Sequence, residues 1–154
     1  MRSHADPRSR CEAVRDELPR WLPSTETIFF GPELAEGNDP PVARLRARGA
    51  HFFWVAVSLG GAQFWDAHVG LVVDQTTLAG TVGIHRGRGS EAALRLFAHL
   101  DPVFQAHRLA HYISEAADEE QWIGTPRDLS TSSGVAQACR EFAAILSAAR
   151  GRLA

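Results

Sequence analysis

The stretch from residue 51 to residue 90 constrains the fold most strongly, because it holds nearly all of the strand-forming pattern of the chain. Three runs rich in β-branched and aromatic residues alternate with a period of two: Phe52–Leu59, Trp65–Asp74 and Leu78–His85. Gly60-Gly61 separates the first two runs, and residues 74–77 separate the last two. Connections this short join antiparallel neighbours, so the pattern predicts a three-stranded meander.

The alternation assigns the side chains to two faces of this sheet, since residues i and i+2 point the same way. One face is apolar and forms the predicted core: Phe53, Val55, Val57, Leu59, Ala67, Val69, Leu71, Val73, Leu78, Val82 and Ile84. The other, which we term the mixed face, carries Phe52, Trp54, Ala56, Ser58, Asp66, His68, Gly70, Val72, Thr81, Gly83 and His85. A slip of one residue would put the apolar set into water, which disfavours the slip.

Matching the apolar faces of neighbouring strands also predicts which residues lie opposite each other. The expected pairs are Ser58–Asp66 and Ala56–His68 across the first turn, and His68–His85 and Gly70–Gly83 across the second. Directly opposed residues have Cβ atoms about 5 Å apart. This register gathers Ser58, Asp66, His68 and His85 at one end of the mixed face.

The rest of the chain predicts helices beside this sheet. Apolar spacing and capping residues predict helices over residues 8–18, from Asp39-Pro40 to Gly49, after Ser90, from Asp101-Pro102 through Ile113, and over residues 133–149. Thr27–Phe30 is expected to form an edge strand, and the acidic run at 115–120 is expected to be solvated. The prediction is one α+β domain over residues 1–154, with a small antiparallel sheet packed against amphipathic helices and residues 1–7 flexible.

Composition excludes several classes of function. The net charge of −2 gives no general attraction to nucleic acid or to an anionic membrane, and no stretch is long and apolar enough to predict a membrane span. Cys11 and Cys139 match neither a disulfide framework nor a zinc spacing, so a reducing cytoplasm is expected. All 16 basic side chains are arginine, which excludes Schiff-base lysine chemistry and a phosphate-binding-loop lysine.

A glycine-rich loop between the third strand and the next helix is typical of an anion site. A helix N-terminus presents free N–H groups and partial positive charge, and glycines let an anion approach the backbone. Arginine adds planar donors that suit carboxylate, phosphate or sulfate. The predicted binding residues are Arg86, Gly87, Arg88, Gly89 and Ser90. The alternative is a solvated turn whose arginines bind nothing.

Acid/base chemistry is predicted for the polar cluster on the mixed face. Histidine carries protons near neutral pH, so His68 and His85 are the candidate catalytic residues, and Asp66 would orient one of them. Trp54 and Ser58 share this face and are expected to contact the ligand. The alternative is a structural pair of histidines beneath a covering helix.

A third candidate site pairs His107 with His111, four residues apart on the helix expected after Asp101. This spacing can bring two imidazoles to one metal ion. Glu115 follows a turn later, but the residues between the histidines lack the glutamate of a metalloprotease motif, and no clear third ligand is evident. We therefore expect no metal and no other cofactor.

Together these features predict a small cytoplasmic protein that binds an anionic small molecule. Its chemistry would be cofactor-independent acid/base catalysis of the elimination, cyclisation or isomerisation type, with neither nucleic acid nor membrane as partner. One alternative is a protein–protein interaction module, in which the mixed face or the arginine-rich segment at 44–48 docks a partner protein or a second copy. A metal-dependent enzyme built on His107 and His111 is the other.

Overall fold

An antiparallel sheet of seven strands and four α-helices make up the described part of the chain, residues 6–31, 53–60, 66–73, 79–115 and 118–154 of the computed structural model. In chain order the elements are α1 (Pro7–Glu17), a 3-10 turn (Leu18–Arg20), β1 (Phe29–Gly31), β2 (Phe53–Gly60), β3 (Ala67–Val73), β4 (Ala79–Gly87), α2 (Glu91–Ala98), α3 (Asp101–Ala106), β5 (Ala110–Ser114), β6 (Glu119–Ile123), β7 (Arg127–Asp128) and α4 (Ser132–Leu153).

The strands form one sheet in the order β1-β2-β3-β4-β6-β5, and β7 also pairs with β4. The predicted meander of β2, β3 and β4 is confirmed. The edge strand expected over Thr27–Phe30 is present as β1, which begins at Phe29 and pairs with β2. The α+β class is therefore confirmed. The sheet is larger than predicted, because β5, β6 and β7 extend it beyond β4.

The predicted apolar face of the sheet is the core. Its buried members are Val55, Val57, Leu59, Ala67, Val69, Leu71, Val73, Val82 and Ile84. The helices contribute to the same hydrophobic cluster through Cys11 and Val14 in α1, Phe97 in α2, Val103 and Phe104 in α3, and Val135, Ala138, Cys139, Phe142, Ile145, Leu146 and Ala149 in α4. The described helices therefore pack on the apolar face, and the mixed face lies on the other side of the sheet.

Polar N-cap residues set where the longer helices begin. The side chain of Asp6 accepts a hydrogen bond from the backbone N–H of Ser9 at the start of α1. Ser90 does the same for Ala93 in α2, as predicted, and Thr131 for Gly134 in α4. Each cap satisfies a backbone donor that the first turn of a helix leaves free.

The register across the first turn differs from the prediction by two residues. Ser58 lies opposite His68 rather than Asp66, and Ala56 lies opposite Gly70. The pairing is also irregular at the end of β2: Gly60 adopts a φ of +126° and lies opposite Ala67. A shift of two residues keeps each side chain on its face, so the predicted faces hold. The predicted pairs across the second turn are confirmed.

The helix predicted from Asp101 through Ile113 is shorter in the structure. It ends at Ala106, Arg108 takes a φ of +53°, and the chain continues as β5. Leu109 and Ile113 are four apart, a spacing that suits a helix, yet Leu109 is buried in the core and Ile113 is 46% exposed in the strand. The prediction that His107 and His111 share one helix is therefore wrong.

Two further predictions are corrected near these elements. The acidic run was expected to be solvated, but Glu119 and Glu120 lie in β6, an interior strand, and are mostly buried. The apolar spacing after Ser90 also predicts that Leu94 and Phe97 are buried in α2; Phe97 is buried, together with Ala93, but Leu94 is exposed.

The predicted helix between Asp39-Pro40 and Gly49 lies outside the described residues, as does the turn at 74–77. Among the helices that the structure describes, we find none with the length and apolar character required to cross a membrane.

We expect Gly83→Ala to lower the free energy of unfolding by about 2 kcal/mol, because β4 and β6 would have to separate. A Cβ atom at Gly83 would lie 2.1 Å from the carbonyl oxygen of Trp122 and 2.7 Å from the Cα of Ile123. Gly151→Ala is the matched control, since nothing lies within 4 Å of its Cβ position and alanine is favoured in helices by up to about 1 kcal/mol. Urea denaturation of both variants tests this; a fully stable Gly83→Ala protein would contradict the close approach of the strands.

Candidate functional site

The site begins with two histidines that face each other across β3 and β4. His68 lies directly opposite His85, and their rings stack with centroids 5.0 Å apart and planes 10° from parallel. Gly70 provides the space for this stack. A Cβ atom there would lie 3.2 Å from Cδ2 of His68 and 3.3 Å from Cδ2 of His85. The missing side chain thus lets both rings lie over the backbone of Gly70.

The neighbouring strand β6 adds a carboxylate to the two rings. Glu119 lies opposite Gly87 in β4, two residues from His85 and therefore on the same face. One of its oxygens, Oε2, is 3.6 Å from Nδ1 of His85 and 3.9 Å from Nε2 of His68. Gln121 lies opposite His85 and donates a hydrogen bond to the other oxygen, Oε1, at 3.5 Å. We term His68, His85 and Glu119 the His–Glu cluster.

The three side chains of the cluster are largely removed from solvent. His68 is 8% exposed, His85 is 1% exposed and the side chain of Glu119 is 16% exposed. Burial and the charge of His85 lower the pKa of His68 to about 4, although Glu119 acts in the opposite direction. Burial by itself raises the pKa of Glu119, but the two histidines and Gln121 outweigh it and lower that pKa. At neutral pH, His68 is therefore uncharged and Glu119 is ionised.

His85 is the least satisfied member of the cluster. Neither of its ring nitrogens has a hydrogen-bond partner within the described ranges, and the 3.6 Å contact with Glu119 is longer than a normal hydrogen bond. A buried polar group without a hydrogen bond costs roughly 1–3 kcal/mol. The burial of His85 therefore lowers the stability of the fold, and buried polar groups without hydrogen bonds frequently have a function.

Asp66 was predicted to orient a histidine, and the structure places it at the start of α2. Its Oδ1 accepts a hydrogen bond of 2.8 Å from the hydroxyl of Ser90, and its carbonyl accepts one from the N–H of Gly87. Ser90 in turn caps α2. These contacts join the beginning of β3, the end of β4 and α2.

The two predicted anion-binding arginines are both ion-paired. Arg86 follows His85 and points to the opposite face, where it pairs with Glu120 and lies 5.5 Å from the ring centre of Phe97. Arg88 donates a 3.2 Å hydrogen bond to Glu115 in a solvent-exposed pair. Gly89 adopts a φ of +82°, which turns the chain between β4 and α2. Arg86 is therefore not brought to the His–Glu cluster.

Of the two other predicted ligand contacts, the structure brings Ser58 to the cluster and leaves Trp54 apart. Ser58 lies directly opposite His68 and is half-buried. Trp54 is four residues further along β2, about 13 Å at the usual strand rise. Its indole lies against the backbone of Gly31 in β1.

Sequence reasoning missed Glu119 and Gln121. Both belong to a strand whose first residues read as part of a solvated acidic run. The available signal was the alternation through Glu119, Gln121 and Ile123, which suits a strand; Trp122 lies between the last two.

The two histidines of the third candidate site lie on different elements. His111 lies exposed on β5, with its Nε2 2.7 Å from Glu120 Oε2, and His107 lies in the turn after α3.

Comparisons with known proteins add no family or relative: no protein-family model, curated protein or solved structure matches this chain. The possible chemistry follows from the donor set. Two imidazoles and a carboxylate can move protons to and from a bound molecule, and the same groups can bind a divalent cation. One ligand atom from each of His68, His85 and Glu119 lies within 4.8 Å of the other two.

We expect the free energy of unfolding to fall as the pH is lowered from 6.5 to about 4. In this window the unfolded chain binds a proton at His68 that the folded protein does not, because the folded pKa is lower. The full shift corresponds to about 3 kcal/mol. The lowered pKa of Glu119 adds a loss in the same direction at more acidic pH.

Urea denaturation at several pH values, in buffers that contain a chelator, measures this dependence. His68→Gln should remove the part of it that lies between pH 6.5 and 4. An unchanged pH dependence in that variant would contradict the burial of an uncharged His68.

Proposed function

We propose that this protein binds an anionic small molecule on the mixed face and performs acid/base chemistry on it at the His–Glu cluster. The observation that carries the proposal is the burial of two stacked imidazoles beside a single carboxylate oxygen. Titratable groups with perturbed pKa values that lie close together are enriched at functional sites. His68 and Glu119 both meet this description.

The proposed roles follow from charge. His68 is uncharged at neutral pH and is the proton acceptor. A charge on His85, whose ring centre is 5.0 Å from that of His68, opposes protonation of His68. Glu119 stabilises the imidazolium that forms when either ring is protonated. Proton transfer of this kind suits elimination, cyclisation or isomerisation better than redox chemistry.

Arg88 is the better of the two predicted arginines for the anionic group. Its pair with Glu115 is exposed, and exposed pairs contribute only about 0–1 kcal/mol, so a ligand anion can replace Glu115 at little cost. Arg86 is more buried with Glu120 and is held there. Arg88 lies just beyond the end of β4 and follows His85 by three residues, roughly 10 Å of extended backbone. The anionic group of the ligand would therefore lie apart from the atom on which the His–Glu cluster acts.

A second candidate function is an interaction module, and β5 favours it. This strand ends the described sheet order, and Tyr112 and Ile113 are 52% and 46% exposed on opposite faces. Edge strands with exposed apolar side chains can pair with another chain. Pairing at β5 gives no reason for the burial of the His–Glu cluster, so the small-molecule site is preferred.

A thermal-shift screen of carboxylates and phosphate esters tests the leading proposal. A ligand present at about 100 times its Kd should stabilise the protein by about 2.7 kcal/mol. Arg88→Ala should reduce this stabilisation, whereas His99→Gln, a change at an exposed helix end, should not. Equal stabilisation of the wild type and Arg88→Ala would argue against this anion contact.

With a substrate from the screen, His68→Gln is expected to lower kcat by on the order of a hundredfold with binding largely kept. The reason is that glutamine preserves polarity and approximate size but cannot accept the proton. Steady-state kinetics measure the two parameters separately. Full turnover in His68→Gln would show that the histidines are structural.

A further inference from the structure

We infer that His68, His85 and Glu119 together bind one divalent transition-metal ion. The inference rests on the proposed function, because it names the cofactor of the same site. It replaces the expectation that no metal is needed, which depended on His107 and His111. Two imidazole nitrogens and one carboxylate oxygen within 4.8 Å of one another are a three-donor set on three adjacent strands.

The distances in the cluster are close to those that a metal ion requires. Nitrogen and oxygen ligands lie about 2.0–2.2 Å from zinc, so tetrahedral ligands are about 3.4 Å from each other. Glu119 Oε2 is 3.6 Å from His85 Nδ1 and 3.9 Å from His68 Nε2. Binding therefore needs the two distances to the carboxylate oxygen to shorten by a few tenths of an ångström. The two ring nitrogens, which lie within 4.8 Å of each other, must approach by up to about 1.4 Å. The two rings must also rotate from parallel so that their lone pairs converge.

Two neighbouring residues make this adjustment feasible. Gly70 places no side chain beneath the rings, where a Cβ atom would already be 3.2–3.4 Å from both of them. Gln121 donates to Glu119 Oε1 and so holds the carboxylate with Oε2 towards the histidines. Hydrogen bonds to ligating carboxylates are the usual support of metal sites.

The burial of His85 gives a physical reason for metal binding at this site. Its ring is 1% exposed, and neither nitrogen has a hydrogen-bond partner among the described residues. A metal–nitrogen bond would supply the interaction that burial removes. The donor set also selects the ion, since imidazole suits zinc, iron, cobalt or nickel, whereas magnesium and calcium prefer all-oxygen sites.

The net positive charge of the site with its metal ion bound would attract an anionic substrate. One carboxylate neutralises half of a divalent charge, so the bound ion keeps a net charge of +1 in a buried position. Three protein ligands leave at least one position open, as in catalytic rather than structural sites. A hydroxide or a substrate carboxylate fits there. With the ion bound, His68 would be a ligand, and a metal-bound hydroxide would replace its free imidazole as the acceptor of the substrate proton.

Titration of the chelator-treated full-length protein with Co²⁺ alone tests the inference. We expect one equivalent to bind, with the visible absorption of a low-coordinate site, and Zn²⁺ to displace it. His85→Gln and Glu119→Gln should weaken binding by more than about a hundredfold, because even changes outside the ligand set cost 10- to 100-fold. His111→Gln is the matched control, since His111 also pairs with a glutamate but lies outside the cluster.

A second measurement covers the case in which a variant does not fold. Ring-nitrogen NMR of the wild type should show Zn²⁺ shifting His68 and His85 and none of the other five histidines. No binding, binding that survives in both cluster variants, or shifts confined to other histidines would overturn the inference. If metal binding fails while ligand protection still depends on Arg88, the proposed function stands with free imidazoles. If metal binds but no anion protects the protein, the proposed function falls and the metal site stands.

Discussion

The pairing of β3 with β4 decides which side chains meet on each face of the sheet. On one face Val69 meets Ile84 in the core beneath the helices, and on the other His68 meets His85. A single register serves both contacts. Burial of each large apolar side chain contributes roughly 1.5–3 kcal/mol, and several of them share this register. Burial of the apolar face can therefore offset the cost of burying the polar pair of histidines on the other face.

This division of labour explains the composition of the mixed face. Gly70 lies beneath the stacked rings and has no side chain to occupy their space. Glu119 lies on β6, and its carboxylate is largely buried. Burial lowers the pKa of His68, and the histidines lower the pKa of Glu119. The result is a neutral imidazole beside a carboxylate at physiological pH, which is the protonation state that either a proton acceptor or a metal ligand needs.

The alternation of apolar and polar residues in the sequence predicted the central strands of the sheet correctly. Alternation gave the two faces of β2–β4 and the pairing of His68 with His85, because a one-residue slip would expose the core. It missed the irregularity between Ser58 and Gly60, and it placed Ser58 opposite Asp66, whereas Ser58 lies opposite His68. The helix predicted through Ile113 was wrong because a four-residue apolar spacing can also occur in a strand. Glu119 was missed for a further reason: its partners in β4 lie more than 30 residues away, and no local pattern reports such a pairing.

The central claim is that the His–Glu cluster is maintained for chemistry and costs the fold stability. Replacing it with apolar side chains of similar size, as His68→Leu, His85→Leu and Glu119→Met together, tests this most directly. Buried charged clusters replaced in this way often become more stable by about 1–4 kcal/mol. Urea denaturation at neutral pH in the presence of a chelator should show such a gain in the free energy of unfolding. A loss of similar size would contradict the claim and show that the cluster is there to stabilise the sheet.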